Sequence, residues 1–164
     1  VLPLIKELLE LLEPKLTSER VRYHLRVAEG ICVQAHREGL RQALLNVIIN
    51  ALEAMDKPDK EIEIEAREKG SKVLLSVADS GPGVPESERE KIFDVFHSTK
   101  PYGSGFGLAI ARRLIEQNGG RLWAENHRLG GAAFYFELSR ASKPAPISSE
   151  GKESREEILV RNLR

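Results

Sequence analysis

Three groups of residues in this chain combine types and spacings that suit chemistry on a phosphorylated ligand. Asn46 and Asn50 stand four residues apart in an otherwise apolar stretch, which places two carboxamides one turn apart on a helix. A carboxamide oxygen is a hard ligand suited to Mg²⁺. Asp79-Ser80-Gly81-Pro82-Gly83-Val84 directly follows Val73 to Ala78, nearly all apolar. A carboxylate at the end of a buried strand, followed by two glycines that admit close backbone approach, has what recognition of a purine amino group requires. Gly103-Ser104-Gly105-Phe106-Gly107-Leu108 runs straight into helical periodicity, with Lys100 three residues earlier. Alternate glycines before a helix N-terminus expose N–H groups and the positive dipole end to an anion.

Each group alone has an ordinary explanation. The asparagines could cap backbone or reach solvent, and the aspartate could sit in a tight turn. The glycine run lacks both the apolar strand that precedes a dinucleotide fingerprint and the Gly-Lys-Ser/Thr ending of a P-loop. In this order along one chain, the three together point to a nucleotide site.

Elements must position these residues. Leu4, Ile5, Leu8, Leu9, Leu12 and Leu16 recur at helical spacing, predicting an opening amphipathic helix that Pro14 ends or bends. Val21, Tyr23, Leu25 and Val27 alternate with Arg22, His24 and Arg26 as in a half-buried strand, and a turn at Glu29-Gly30 predicts that Ile31 to Val33 pair with it. Residues 38–55 read as a mostly buried helix whose narrow polar strip holds Asn46, Asn50 and Glu53. Glu61 to Ala66 and Lys72 to Ala78 form a hairpin across Glu68-Lys69-Gly70-Ser71. Ser87 to Phe93 reads as a short helix, and Phe106 to Gln117 as a longer one stopped by Asn118-Gly119-Gly120. Arg121 to Glu125 and Ala132 to Leu138 close the pattern as strands around Gly130-Gly131. Hairpins dominate, so the expected fold is α/β: a two-layer sandwich with a mixed, mostly antiparallel sheet and helices on one face.

The 164 residues are one domain's worth, with 25 basic side chains against 25 acidic ones. A net charge of zero argues against nucleic acid as partner. Cys32 is the only cysteine, which excludes an internal disulfide framework and a zinc cluster and fits a reducing, cytoplasmic compartment. The longest apolar run, Ala43 to Leu52, is broken by both asparagines, so no membrane span or membrane contact is expected, and Lys6, Glu7 and Glu10 rule out a signal peptide. A start at Val1 without methionine suggests a piece of a longer protein. Residues 1–140 are read as the domain, and 141–164, rich in Ser, Pro and charge, as a linker or tail.

Asn46 to Ala51, Asp79 to Gly83, the phenylalanine pair in Lys91-Ile92-Phe93-Asp94-Val95-Phe96, and Gly103 to Leu108 resemble four motifs of one family. They are the N box, first glycine box, F box and second glycine box of the sensor histidine kinase ATP-binding domain, in the GHKL superfamily. The resemblance covers about residues 1–140 and implies the Bergerat fold, with ATP and Mg²⁺ between the asparagine helix and the glycine boxes under a flexible lid. It implies that Asp79 reads adenine, Asn50 holds the metal and Lys100 reaches the phosphates from the lid. It further implies that Asn46, Gly81, Gly83, Val84, Ile92, Thr99, Gly103, Ser104, Gly105, Phe106, Gly107 and Leu108 line the nucleotide, with Asn46 and Lys100 the catalytic pair.

ATP-hydrolysing relatives carry a glutamate at the position of Asn46, where it activates water. A carboxamide cannot accept that proton. The resemblance therefore implies transfer of the γ-phosphoryl group to a histidine on a separate dimerisation domain of the same parent, with a response regulator downstream. His24, His36, His97 and His127 lack the His-Glu or His-Asp setting of such an acceptor. The chain departs from the family at Glu53, where a lysine is frequent, at His36, where an aspartate is, and at Ala132, where a threonine is. Alternatives within reach are a nucleotide-binding module without transfer and a serine kinase of the anti-sigma type.

Overall fold

The buried face of α1 (Leu2–Ser18) is the leucine stripe Leu4, Ile5, Leu8, Leu9, Leu12 and Leu16. In this computed structural model, which describes residues 1–97 and 105–141, the helix continues through Pro14 to Ser18 instead of ending there. Pro14 and Glu10 are both exposed, on the side where water can satisfy a carbonyl that loses its helical donor, and the buried stripe continues to Leu16.

Five strands form one sheet in the order β1-β2-β3-β5-β4: β1 (Arg22–Val27), β2 (Glu61–Lys69), β3 (Lys72–Asp79), β4 (Arg121–Asn126) and β5 (Ala132–Ser139). Pairings β2/β3, β3/β5 and β4/β5 are antiparallel. The pairing of β1 with β2 is parallel, with Tyr23 opposite Ile62 and Leu25 opposite Ile64. The expected hairpin between β1 and Ile31 to Val33 does not form. Val33 instead makes a lone bridge to Arg140, and the Gln34 N–H donates to the Ser139 carbonyl at 2.8 Å. A parallel neighbour needs a crossover connection, and α2 (Arg37–Ala54) supplies it while covering the sheet.

α2 buries Leu40, Ala43, Leu44, Val47, Ile48, Ala51 and Leu52. They face Ile62, Ile64, Val73, Leu75, Val77, Phe134 and Phe136 from the inner face of the sheet. Each fully buried large side chain contributes about 1.5–3 kcal/mol, so packing on the sheet holds the helix more than its own propensity does. α3 (Gly107–Gln117) adds Ala111 and Ile115 to the same layer. It runs antiparallel to α2: Asn118 at its C-terminal end accepts the His36 N–H at 2.6 Å where α2 begins, and Gly107 at its start meets Asn46 midway along α2. The expected helix over 87–93 is two single 3₁₀ turns, Glu86–Glu88 and Lys91–Phe93. Only Phe93 there is buried, and one anchor gives no apolar stripe for a longer helix to pack on.

Candidate functional site

Asn46 and Asn50, both half-buried, lie one turn apart on the partly open side of α2. The Asn46 amide donates from Nδ2 to the Gly107 carbonyl oxygen at 3.1 Å, which ties the middle of α2 to the first residue of α3. Phe106, the N-cap of α3, offers no side-chain cap, and the first-turn amides, including those of Gly107 and Leu108, lie at the positive end of the helix. Glu53, on the same polar strip, is exposed.

Asp79 is the last residue of β3 and is 1 % exposed. A carboxylate so buried has to be held by donors, and Oδ1 accepts two of them: the Gly81 N–H at 2.8 Å and the Ala132 N–H at 3.2 Å. Gly81 is pressed between this carboxylate and the end of α2, since a Cβ there would lie 2.9 Å from Asp79 Oδ1 and 3.1 Å from the Ala54 carbonyl oxygen. Ser80 completes the junction through Oγ, 3.3 Å from Met55 Sδ and 3.2 Å from the Asp59 carbonyl. Downstream of half-buried Gly83, the Val84 N–H donates to Asn126 Oδ1 at 2.9 Å, fastening the first glycine cluster to the end of β4.

The phenylalanine motif anchors the opposite wall. Phe93 meets Phe134 edge-on, with ring centres 6.4 Å apart, and the Arg112 guanidinium of α3 lies 5.0 Å over its ring. Ile92 is half-buried against the core. Phe96 takes a left-handed backbone (φ 68°), and its ring packs edge-on to Phe106 at 4.8 Å. Gly105, also left-handed (φ 68°), fits only as glycine, because a Cβ would lie 2.6 Å from the Phe96 carbonyl carbon. The described ends that flank residues 98–104 therefore meet at one point. Thr99, Lys100, Gly103 and Ser104, and the lid expected there, lie outside the described residues, as does the tail from 142.

Two groups at this site were not singled out from sequence as supports. One is Asn126. The other is Gly131, where an added Cβ would collide with both the backbone oxygen and Oδ1 of Asp79. The Gly130-Gly131 pair was the available signal, since two glycines in a turn indicate either special backbone angles or close approach. Ala132, noted as departing from a threonine, contributes its N–H, which no side chain alters. Three histidine side chains face glutamates instead: His24 lies 3.1 Å from Glu61, His97 3.6 Å from Glu88 and His127 3.7 Å from Glu63.

Residues 35–142 match the family described as histidine kinase-, DNA gyrase B-, and HSP90-like ATPase. Sensor histidine kinase AruS of Pseudomonas aeruginosa is 38% identical over 150 residues, which are 84% of this chain and 15% of AruS, so the chain spans a small part of that relative. The catalytic domain of histidine kinase ThkA superposes with a TM-score of 0.79 at 37% identity, covering 85% of this chain and 92% of ThkA's domain. ThkA in complex with response regulator protein TrrA matches with TM-score 0.76 and 34% identity over 86% and 40% of the two chains. Full-length ShkA in complex with AMPPNP matches with TM-score 0.75 and 32% identity over 88% and 31%. The chain belongs to the histidine kinase-, DNA gyrase B- and HSP90-like ATPase family, and within it to the ATP-binding catalytic domains of sensor histidine kinases.

Proposed function

We propose that this domain binds Mg²⁺-ATP between α2, the Asp79 loop and the start of α3, and passes the γ-phosphoryl group to a histidine on a dimerisation domain of the same parent. A response regulator would then be the downstream partner, as TrrA is found with ThkA. The observation that carries the proposal is the side chain of Asn46. A carboxamide, not a carboxylate, faces the first turn of α3, and it is engaged with the Gly107 carbonyl. A side chain of this kind orients a neighbour without deprotonating water.

The remaining residues fit the same task. Asp79, fixed through Oδ1, would accept the adenine amino group, and the glycines around it let the base approach backbone. The uncapped amides of α3, with Lys100, would neutralise the phosphates. Among the described residues no cluster of His, Cys, Asp and Glu could hold a metal ion, so Asn50 would supply the protein ligand and the phosphates and water the rest. Held at Asn50, Mg²⁺ would supply charge neutralisation to the phosphate oxygens. In the transfer, the acceptor imidazole nitrogen bonds to the γ-phosphorus, the bond to the β–γ bridging oxygen breaks, and ADP leaves with that electron pair.

Val95, Phe96, Phe106 and Ile110 are exposed hydrophobics beside the site, with Phe96 76% exposed. An apolar surface there suits an acceptor helix brought to the γ-phosphate. No helix of the described residues is long and apolar enough to cross a membrane, and we place the domain in the cytoplasm, where ATP and a response regulator are available. Supplying the acceptor domain on a separate chain tests the proposal. Labelling of the acceptor should rise with its concentration and be slow, since tethering normally provides about millimolar effective concentration. No labelling at any acceptor concentration, with ATP bound, would leave a nucleotide-binding module only.

A further inference from the structure

Outside the proposed nucleotide contacts, one buried carboxylate among the described residues has no part in the proposed reaction. Glu63, on β2, is 5% exposed although it stands in an alternating Glu-Ile-Glu-Ile-Glu run whose glutamates point to the outer face of the sheet. It is buried by the hairpin turn between β4 and β5. The Arg128 guanidinium donates to Glu63 Oε2 at 2.6 Å, and His127 Nε2 stands 3.7 Å from Oε1. From the other side Arg26 of β1 approaches Oε2 at 3.3 Å.

The sheet order makes the Arg128 contact informative. β2 and β5 are not neighbours, because β3 lies between them, so the turn reaches across the whole width of β3 to find Glu63. It crosses next to the end of β3, where Ala78 pairs with both Glu63 and Ala133. The same turn closes on Asp79 from the inner face. The His127 N–H donates to the Gly131 carbonyl at 2.8 Å, Gly131 abuts Asp79, and the Ala132 N–H holds Asp79 Oδ1. Residues 127–132 thus grip the end of β3 from both faces, through a charged hook on one side and two tight backbone contacts on the other.

We infer that Arg128 and Glu63 are positioning residues for base recognition: their ion pair fixes the turn that sets Asp79 against adenine. The inference rests on the proposed role of Asp79. Neither residue would touch the nucleotide, and both would act through Gly131 and Ala132. A carboxylate displaced by a fraction of an ångström loses hydrogen-bond angle to the base while the phosphate contacts stay intact.

The test compares Arg128→Met, Arg128→Lys and Arg26→Met in the full chain, by titrating ATP and GTP in the presence of Mg²⁺ and recording melting temperature. Arg128→Met keeps the side chain's length and loses its charge and donors. It should weaken ATP binding about 3-fold to 10-fold, the range one net hydrogen bond carries, leave GTP binding nearly unchanged, and so compress the ATP-to-GTP ratio. Arg128→Lys should recover most of the loss. Arg26→Met removes charge from the same carboxylate without touching the turn, and should keep the wild-type ratio. The amide resonances of Gly81 and Ala132 should shift in Arg128→Met and stay in place in Arg26→Met. A wild-type ATP-to-GTP ratio in Arg128→Met, whatever its melting temperature, would overturn the inference, as would equal compression by Arg26→Met. A wild-type protein that binds ATP and GTP alike would instead overturn the adenine role of Asp79, and the inference with it.

Discussion

Replacing Asp79 by asparagine separates what this side chain does for the fold from its proposed role towards the base. In the structure Oδ1 accepts the Gly81 and Ala132 N–H groups at 2.8 and 3.2 Å. An asparagine carbonyl can accept both, so Asp79→Asn should melt close to wild type. Towards adenine the exchange is unfavourable, because an NH₂ then stands where the base's own amino group needs an acceptor. The hydrogen bond lost is charge-assisted and buried, worth about 1.5–3 kcal/mol. That corresponds to roughly 10-fold to 100-fold weaker ATP binding. GTP presents a carbonyl at the equivalent ring position, so its binding should hold or improve and the ATP preference should fall. Asp79→Ala is the counterpart: it strands two buried N–H groups at about 1–3 kcal/mol each and should lower the melting temperature as well. Calorimetry with both nucleotides and thermal denaturation of both variants read these outcomes directly. An unchanged ATP-to-GTP ratio in Asp79→Asn would refute the adenine assignment, and a large stability loss in the same variant would show that the charge, not the geometry, holds the loop.

Asn50→Ala should abolish most of the Mg²⁺-dependent part of ATP binding and spare the metal-free part, measured by calorimetry with and without Mg²⁺; equal loss in both would make Asn50 structural. Gly131→Ala forces a Cβ into Asp79 and should destabilise the domain by about 1–3 kcal/mol or more, read from denaturant unfolding. Asn46→Glu should raise phosphate release from ATP above wild type, followed by a coupled phosphate assay. Glu19 is hydrogen-bonded to Lys60 at 2.6 Å, which lowers its carboxyl below the ordinary 4.5. Stabilisation from a depressed pKa is fully present above 4.5 and is lost as pH falls through the folded value, so Lys60→Met should lower stability at neutral pH, leave the most acid pH little changed and so flatten the acid limb of the stability profile.

The three α-helices and the residue types gathered at the candidate site were legible in sequence because their signals are local. The broad apolar face of α2 with two asparagines one turn apart, and the aspartate closing an apolar strand, each fit within one element. Strand partnership was not local. The turn at Glu29-Gly30 announces a reversal, yet β1 finds β2 some 34 residues later, through the α2 crossover, and Ile31 to Val33 go to the far end of β5. Pro14 suggested a helix end that does not come, because a proline's cost depends on whether the carbonyl it orphans can reach water, and the exposure of Glu10 is not written in Pro14. Glu63 was hidden by its own periodicity: alternation assigns it to solvent, and only a turn 65 residues away buries it. The backbone N–H of Ala132 was equally invisible, since a backbone donor leaves no residue type behind.

The fate of the γ-phosphoryl group tests the central claim most directly. With γ-labelled ATP, Mg²⁺, this chain and a histidine-bearing dimerisation domain in one reaction, label should pass to the acceptor as an acid-labile, base-stable phosphate, while free phosphate stays near background with or without acceptor. Rapid phosphate release by the chain alone, or an acid-stable phosphoester on the acceptor, would contradict it.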